Sequence, residues 1–253
     1  MKIGGRDLKT IIGALLQKQH YIAATNMFFV YKDPMDAYAR YLFHSGDYPT
    51  TVDVTTPIGG SPATLYSHHD ILTVNEIFCR QDYKADRDDK VIVDFGSNIG
   101  ISALYFLTRA TDSFTYLFEP VPQNVERLRG NLAPFQDRYA LQPVAVGLQD
   151  GTAEFGFEET GRYGGLGLQT GHYMTVECVE ANRVLREVIA RHGAIDILKI
   201  DIESLEREIT EAIAPDILPL IRKIYVELNF GDNPLAKTHT CRQYGGIAQF
   251  ERL

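Results

Sequence analysis

The chain is poor in cysteine, has no long apolar run and carries no excess of basic charge, and each shortage removes a class of protein. Its three cysteines, Cys79, Cys178 and Cys241, are odd in number, lie far apart and form no CxxC pair. A disulfide framework and a zinc site are therefore not expected, and Cys79 and Cys178 read as small buried apolar residues. No apolar run approaches the roughly 18 residues of a spanning helix, and the N-terminus lacks the apolar stretch and cleavage pattern of a signal peptide. The expectation is a cytoplasmic protein with no membrane partner. Lys and Arg number 25 against 33 Asp and Glu, a net charge of −8, and the basic residues are scattered. No nucleic-acid partner is expected, because a phosphate backbone needs clustered Lys and Arg.

What is present is an ordinary globular composition, 45% hydrophobic and 23% charged over 253 residues, enough for one large domain with a small appendage. Leu8, Ile11, Ile12, Leu15, Leu16 and Ile22 fall on one face of a helix. That face needs a groove, a domain edge or a second copy to cover it, so a homodimer is one expectation. Residues 51–55 and 63–67 alternate as a hairpin around Gly59 and Gly60, and a second helix is expected over about 70–83. The charged stretch Lys84 to Lys90 then reads as a loop, dividing a cap over 1–84 from a catalytic domain over 85–253.

From Val91 onward strands and helices alternate: strands at 91–95, 114–118, 141–146, 195–200 and 223–228, with helices at 101–109, 121–132, 182–191 and 203–213 between them. The strands are nearly continuous apolar runs, as in a parallel sheet buried on both faces. Residues 152–179 interrupt the alternation with glycine-rich, β-prone segments, and there is no internal repeat.

The most informative stretch is Val91-Ile-Val-Asp-Phe-Gly-Ser-Asn-Ile-Gly100, which ends a buried strand with an acid and turns through two glycines into a helix. Glycine lets a ligand approach the backbone, and a helix start offers free N–H donors. A dinucleotide fold would show GxGxxG, but Asn98 stands where the middle glycine should be. The pattern suits a ligand with a positive amine better than a pyrophosphate, which places an NAD-dependent oxidoreductase behind. Glu119 ends the next strand 25 residues after Asp94, where an acid can accept both hydroxyls of a ribose. Together they imply a nucleoside cofactor; singly, each is equally readable as a helix cap or a turn residue.

These residues resemble the FkbM-type branch of the class I S-adenosylmethionine-dependent methyltransferases. The likeness is carried by Val93 to Gly100, by Phe118-Glu119-Pro120 with Asn124, Leu128 and Asn131, by Ile195 to Glu203, and by Val226 to Asn229, over roughly 70–229. It implies an α/β fold with a Rossmann-like, doubly wound, mostly parallel sheet and an N-terminal helical and hairpin cap. It also implies S-adenosylmethionine as cofactor, its methionine part at Asp94, Gly96, Ser97, Asn98 and Gly100 and its ribose at Glu119. By the resemblance alone the adenine is expected at Val144 to Val146, around Ala145, with Pro120 nearby. Ser204 departs from the family, which has glycine there. The stretch after Asn229 is short for the family's last helix and antiparallel strand pair, so a sheet edge that is abbreviated or completed by another chain is expected.

Lys199, Asp201 and Glu203 alternate at a strand end, where parallel sheets bind ligands, and Glu227 is the natural partner for Lys199. Charges in an apolar strand need partners, so one reading is a structural ion cluster. The other makes Asp201, Glu203 and Glu227 catalytic, with Asp201 binding the cofactor amine or acting as base. No metal ligand set is evident, though such carboxylates could also take Mg²⁺. Among the histidines, His68, His69 and His172 are the ones expected to face a substrate, with Tyr163 from the glycine-rich loop at 161–167. The expected activity is O-methylation of a small-molecule hydroxyl, a sugar or a natural-product alcohol. The alternative from another class is a non-catalytic nucleoside-binding or scaffold subunit.

Overall fold

The computed structural model describes residues 2–3, 6–7, 18–158 and 163–253, and the chain divides into two compact units, Met1–Lys84 and Ala85–Leu253. In the first unit two-residue strands β1 (Lys2–Ile3) and β2 (Arg6–Asp7) pair antiparallel. The apolar stripe at Leu8–Leu16 lies outside the described residues. The helix that follows, α1 (Lys18–Val30), runs well past Ile22. Helix α2 (Pro34–Phe43) falls where only a polar-aromatic stretch was legible. Its signals are local: Asp33 caps it by accepting from the Asp36 amide at 3.1 Å, and Pro34 occupies the first turn.

The hairpin is β3 (Thr50–Thr56) with β4 (Gly59–Leu65). Thr56 pairs with Gly59, so Pro57-Ile58 makes the turn and the two glycines open the second strand. Helix α3 (His68–Val74) starts earlier than the sequence suggested, at a Ser67/Asp70 capping box, and continues into a π-helical turn ending at Arg80. Cys79 in that turn and Cys178 are buried, as read.

The second unit is built on a seven-stranded sheet. Its parallel strands are β5 (Val91–Phe95), β6 (Phe114–Phe118), β7 (Tyr139–Gln142), β12 (Ile195–Ile200) and β13 (Ile221–Val226). Antiparallel β14 (His239–Tyr244) and β15 (Ile247–Arg252) complete the order β14-β15-β13-β12-β5-β6-β7. The sheet is therefore not abbreviated. The chain reaches β14 without the intervening helix, and Gly245-Gly246, both at positive φ, turn it straight back into β15. Helices α4 (Ile101–Leu107), α5 (Pro122–Asn131), α6 (Ala181–His192) and α7 (Glu206–Ala212) follow the alternation. Every residue of α4 is buried.

The strand expected over 141–146 is two strands in two sheets. Pro143 cannot donate to a ladder, so β7 stops at Gln142 and β8 (Ala145–Gly147) leaves for a second, four-stranded sheet. That auxiliary sheet, ordered β10-β9-β11-β8, also holds β9 (Gly151–Phe157), β10 (Gly164–Leu166) and β11 (His172–Glu180). Its apolar face buries Ala145, Phe155, Val176 and Cys178 against Val121, directly after the Glu119–Pro120 segment.

Candidate active site

The glycine turn and the acid end of β12 meet at the carboxyl ends of adjacent parallel strands. Gly96, Asn98 and Gly100 all have left-handed backbones, at φ 81, 46 and 86. Gly96 is set by contact: a Cβ there would lie 1.7 Å from the Asp201 carbonyl oxygen, so no other residue lets β5 and β12 close at this point. Ser97 locks the turn to β6. Its hydroxyl donates to the Asp94 carbonyl at 3.0 Å and accepts from the Phe118 amide at 3.2 Å.

Asn98 tolerates its conformation because its side-chain oxygen accepts from the Ile99 amide at 2.7 Å. Two helix residues support the turn from outside. Asn131 donates to the Ile99 carbonyl at 2.9 Å, and Leu128 packs where a Cβ on Gly100 would come within 3.0 Å of its Cγ.

Glu119 is buried and reaches back to this turn. One carboxylate oxygen accepts from the Asn98 amide at 2.9 Å, the other from the Val121 amide at 2.9 Å and the Asn124 side chain at 3.2 Å. Burial pushes its pKa up to about 7, against those three hydrogen bonds, which favour the charged form. Pro120 follows at the strand end, and Ala145 is buried within the auxiliary sheet's apolar cluster.

Asp94 is buried completely, one oxygen accepting from Ser102 at 2.6 Å and the other from Lys199 at 3.0 Å. The β5–β12 register sets Lys199 beside Asp94, with which it pairs, while its charge also acts on Glu227. Lys199 also donates to the Gly96 carbonyl at 2.9 Å and pairs with Asp201 at 3.1 Å. Burial opposes its charge, but the Asp201 and Asp94 carboxylates outweigh it and raise its pKa.

Asp201, half-buried, thus bridges Lys199 on one side and Glu227 on the other, with which it hydrogen-bonds. The Asp201 charge, and then burial, push Glu227 well above the usual carboxylate range. Glu227 remains at the surface by area, so the neighbouring charge is the cause that matters. Glu203 is exposed and left-handed at φ 67. It does not continue the strand's alternation, because β12 has already ended at Ile200. For the same reason the helix expected from 203 starts only at Glu206.

Tyr163 and His172 both belong to the auxiliary sheet region. The Tyr163 carbonyl accepts from the Glu158 amide at 2.8 Å, and the exposed His172 sets its ring 5.9 Å from that of Phe157. His68 and His69 lie in the first unit, where His68 stacks on His44 at 3.6 Å. Sequence reasoning gave no role to Ser102, Asn124 and Asn131. Asn124 and Asn131 had been singled out only as carriers of the family resemblance, and Ser102 offered no signal beyond a polar residue within a helix. Among the described residues no three His, Cys, Asp or Glu side chains converge as a metal site, so magnesium finds no support. No helix among them is long and apolar enough to cross a membrane.

A family model described as the methyltransferase FkbM domain matches residues 94–242, from the acid of β5 into the β14–β15 hairpin. The chain belongs to the FkbM methyltransferase family. S-adenosylmethionine is the usual cofactor of methyltransferases, and the matched region runs through the seven-stranded, mostly parallel sheet described above. Among curated proteins, the AMB antimetabolite synthetase AmbE of Pseudomonas aeruginosa is 26% identical over 223 residues, covering 70% of this chain. The match covers 10% of that protein, so the chain spans about a tenth of its curated relative's length. Among solved structures, the FkbM chain is similar to a putative caffeoyl-CoA O-methyltransferase from Staphylococcus aureus, with 12% identity, coverage of 72% and 80%, and a TM-score of 0.39. It is also similar to a methyltransferase from Geobacter sulfurreducens, with 15% identity, coverage of 72% and 79%, and a TM-score of 0.40.

Proposed function

We propose that this FkbM methyltransferase methylates a hydroxyl of a neutral small molecule, a sugar or natural-product alcohol, with Asp201 receiving the acceptor's proton. The observation that carries the reading is the cluster at the carboxyl ends of β5, β12 and β13. Three acids, Asp94, Asp201 and Glu227, act with the Lys199 ammonium, and Glu203 stands close enough to raise the pKa of Glu227. Such a mouth favours a cationic cofactor and disfavours an anionic acceptor, while a neutral hydroxyl enters without a charge penalty.

The residues also fit the cofactor's parts. Glu119, with two protein donors on one oxygen and one on the other, keeps one acceptor site for a ribose hydroxyl, and the Asp94–Gly100 turn fits the methionine part, with the adenine toward Pro120 and Ala145. When bound, S-adenosylmethionine supplies a methyl group already activated by its sulfonium. The protein's own work is alignment and proton handling. Asp94 acts at a distance, fixing Lys199 and Ser102 and through them the glycine turn. Asp201 stands between Lys199, with which it pairs, and Glu227, with which it hydrogen-bonds, and takes the proton that the acceptor hydroxyl gives up. Glu203, Tyr163 and His172 are the acceptor contacts of this reading.

Calorimetric titration with S-adenosylhomocysteine tests it. Wild type binds; Glu119→Ala weakens binding by about 30-fold or more, as expected for lost charge-assisted hydrogen bonds. Asp201→Asn keeps that affinity and loses turnover across a panel of sugar and alcohol acceptors. A wild-type protein that does not bind S-adenosylhomocysteine overturns the reading.

A further inference from the structure

The auxiliary sheet meets the acid turn where Ser204 faces a glycine. That glycine is Gly165, in the middle of β10. A Cβ on Gly165 would lie 3.0 Å from Ser204 Oγ, 3.1 Å from the Ile202 carbonyl oxygen and 2.8 Å from Leu168 Cδ1.

The backbone of Gly165 is not left-handed, so any residue could adopt it, and space alone demands glycine. The sheet is thinned in the same way on its other strand: a Cβ on Gly156 would lie 2.1 Å from the Leu168 carbonyl oxygen. Ser204 Oγ is enclosed without a hydrogen-bond partner among the described residues. That hydroxyl is held by packing and gains nothing from polar contact. The turn it caps is pinned at two amides, Asp201 to the Phe95 carbonyl at 3.1 Å and Ile202 to a Glu206 carboxylate oxygen at 2.9 Å. Between them and Ser204 sits the left-handed Glu203, a conformation that persists only where its surroundings enforce it.

We propose that Gly165 and Ser204 are positioning residues, forming the packing contact by which the auxiliary sheet fixes the carboxylate turn 201–204 for acceptor chemistry. Its meaning for acceptor chemistry rests on the methyltransferase reading of Asp201. The length and shape of the auxiliary sheet then set where the acids stand without any change in the cofactor turn, and variation in that sheet is a route to acceptor choice.

Residue-resolved hydrogen exchange on the full chain tests this, read at Asp201 and Ile202 with Gly96–Gly100 as reference, alongside S-adenosylhomocysteine calorimetry. Gly165→Ala is expected to speed exchange at Asp201 and Ile202 by about tenfold, with the reference amides and the S-adenosylhomocysteine affinity within about twofold of wild type. In a double-mutant cycle, adding Ser204→Gly recovers about threefold or more of that change. Unchanged exchange at the turn, equal acceleration at Gly96–Gly100, or no recovery with Ser204→Gly each overturns the proposal. Should Gly165→Ala fail to fold, Ser204→Thr brings bulk from the other side and is held to the same local acceleration. A wild type that binds no S-adenosylhomocysteine would sink the methyltransferase reading, while the exchange result still decides whether the contact holds the turn.

Discussion

Two lysines are buried on neighbouring strands, Lys199 toward the carboxyl end of β12 and Lys223 toward the amino end of β13, and each meets two aspartates. Lys223 pairs with Asp86 at 2.8 Å and Asp89 at 3.0 Å, and Arg222 joins Asp89 and, at 3.4 Å, Asp196. Two cations there face three acids, and Asp196 spends one oxygen on the Lys90 and Val91 amides at 2.7 and 3.0 Å. At the other end one cation faces three acids, Asp94, Asp201 and Glu227, with Glu203 beside Glu227, and the backbone is strained. In the second unit the non-glycine residues at positive φ among those described, Asn98 and Glu203, both sit at the Lys199 end. Buried ion pairs alone do not mark a site. Unbalanced charge together with backbone strain does, because neither is retained for stability.

The sharpest way to break this comparison is at Gly96. Gly96→Ala sets a Cβ into the Asp201 carbonyl and forces alanine to a left-handed φ, so we expect S-adenosylhomocysteine binding to vanish and the melting temperature to fall. The control is Gly130 in α5, which has open space around its Cβ position and no positive φ. Gly130→Ala should stabilise by about 0.5–1 kcal/mol, as glycine-to-alanine changes inside helices do. If Gly96→Ala binds S-adenosylhomocysteine as wild type does, the close approach of β5 and β12 is not what shapes the site.

Next come the two lysines. Lys199→Met leaves Asp94 buried without its counter-charge and should cost about 3–5 kcal/mol in urea unfolding, with loss of S-adenosylhomocysteine binding. Lys223→Met leaves Asp89 with Arg222 and Asp86 half in water, so about 1–2 kcal/mol is expected, with affinity for S-adenosylhomocysteine unchanged. Equal stability losses, or a binding defect in Lys223→Met, would erase the distinction between site and staple.

The same pair shows what was legible in the sequence. The parallel strands β5, β6, β12 and β13 were readable because burial on both faces makes them continuous apolar runs, and the glycine turn because its residues are dictated by close approach. Partners across strands were not. Adjacency of strands suggested Glu227 for Lys199, whose charge does act on it, but only the register shows that Lys199 lies opposite Asp94 on β5 and opposite Tyr225 on β13. Lys84 to Lys90 read as a loop, and it is one, but a charge run looks alike whether wet or paired, and the sequence did not show that Asp89 is buried against Lys223 and Arg222. The last two strands carried a readable signal, Gly245-Gly246 between two alternating runs, that the expectation of a helix before them obscured.

The smallest effect expected is also the one that separates the two ends by pH. Glu119, at the site end, has its pKa raised by burial to about 7, above the ordinary 4.5. Between those values the folded protein binds more protons than the unfolded chain, so this residue's contribution to stability falls as pH rises from about 4.5 to about 7. A cofactor hydroxyl donates to the ionised form, so affinity runs the other way. S-adenosylhomocysteine binding should strengthen as pH rises toward 7 and level off above it, with roughly tenfold weakening per unit on the acid side. Glu119→Gln removes the titrating group and keeps the shape: its affinity should be flat over pH 5.5 to 8, below wild type at pH 8, and its stability should lose the wild-type decline. Lys223→Met, at the other end, should keep the wild-type pH profile unchanged. Calorimetry and urea unfolding at four pH values on these three proteins decide it. A pH-independent wild type would mean that Glu119 is ionised throughout and that its three hydrogen bonds outweigh burial.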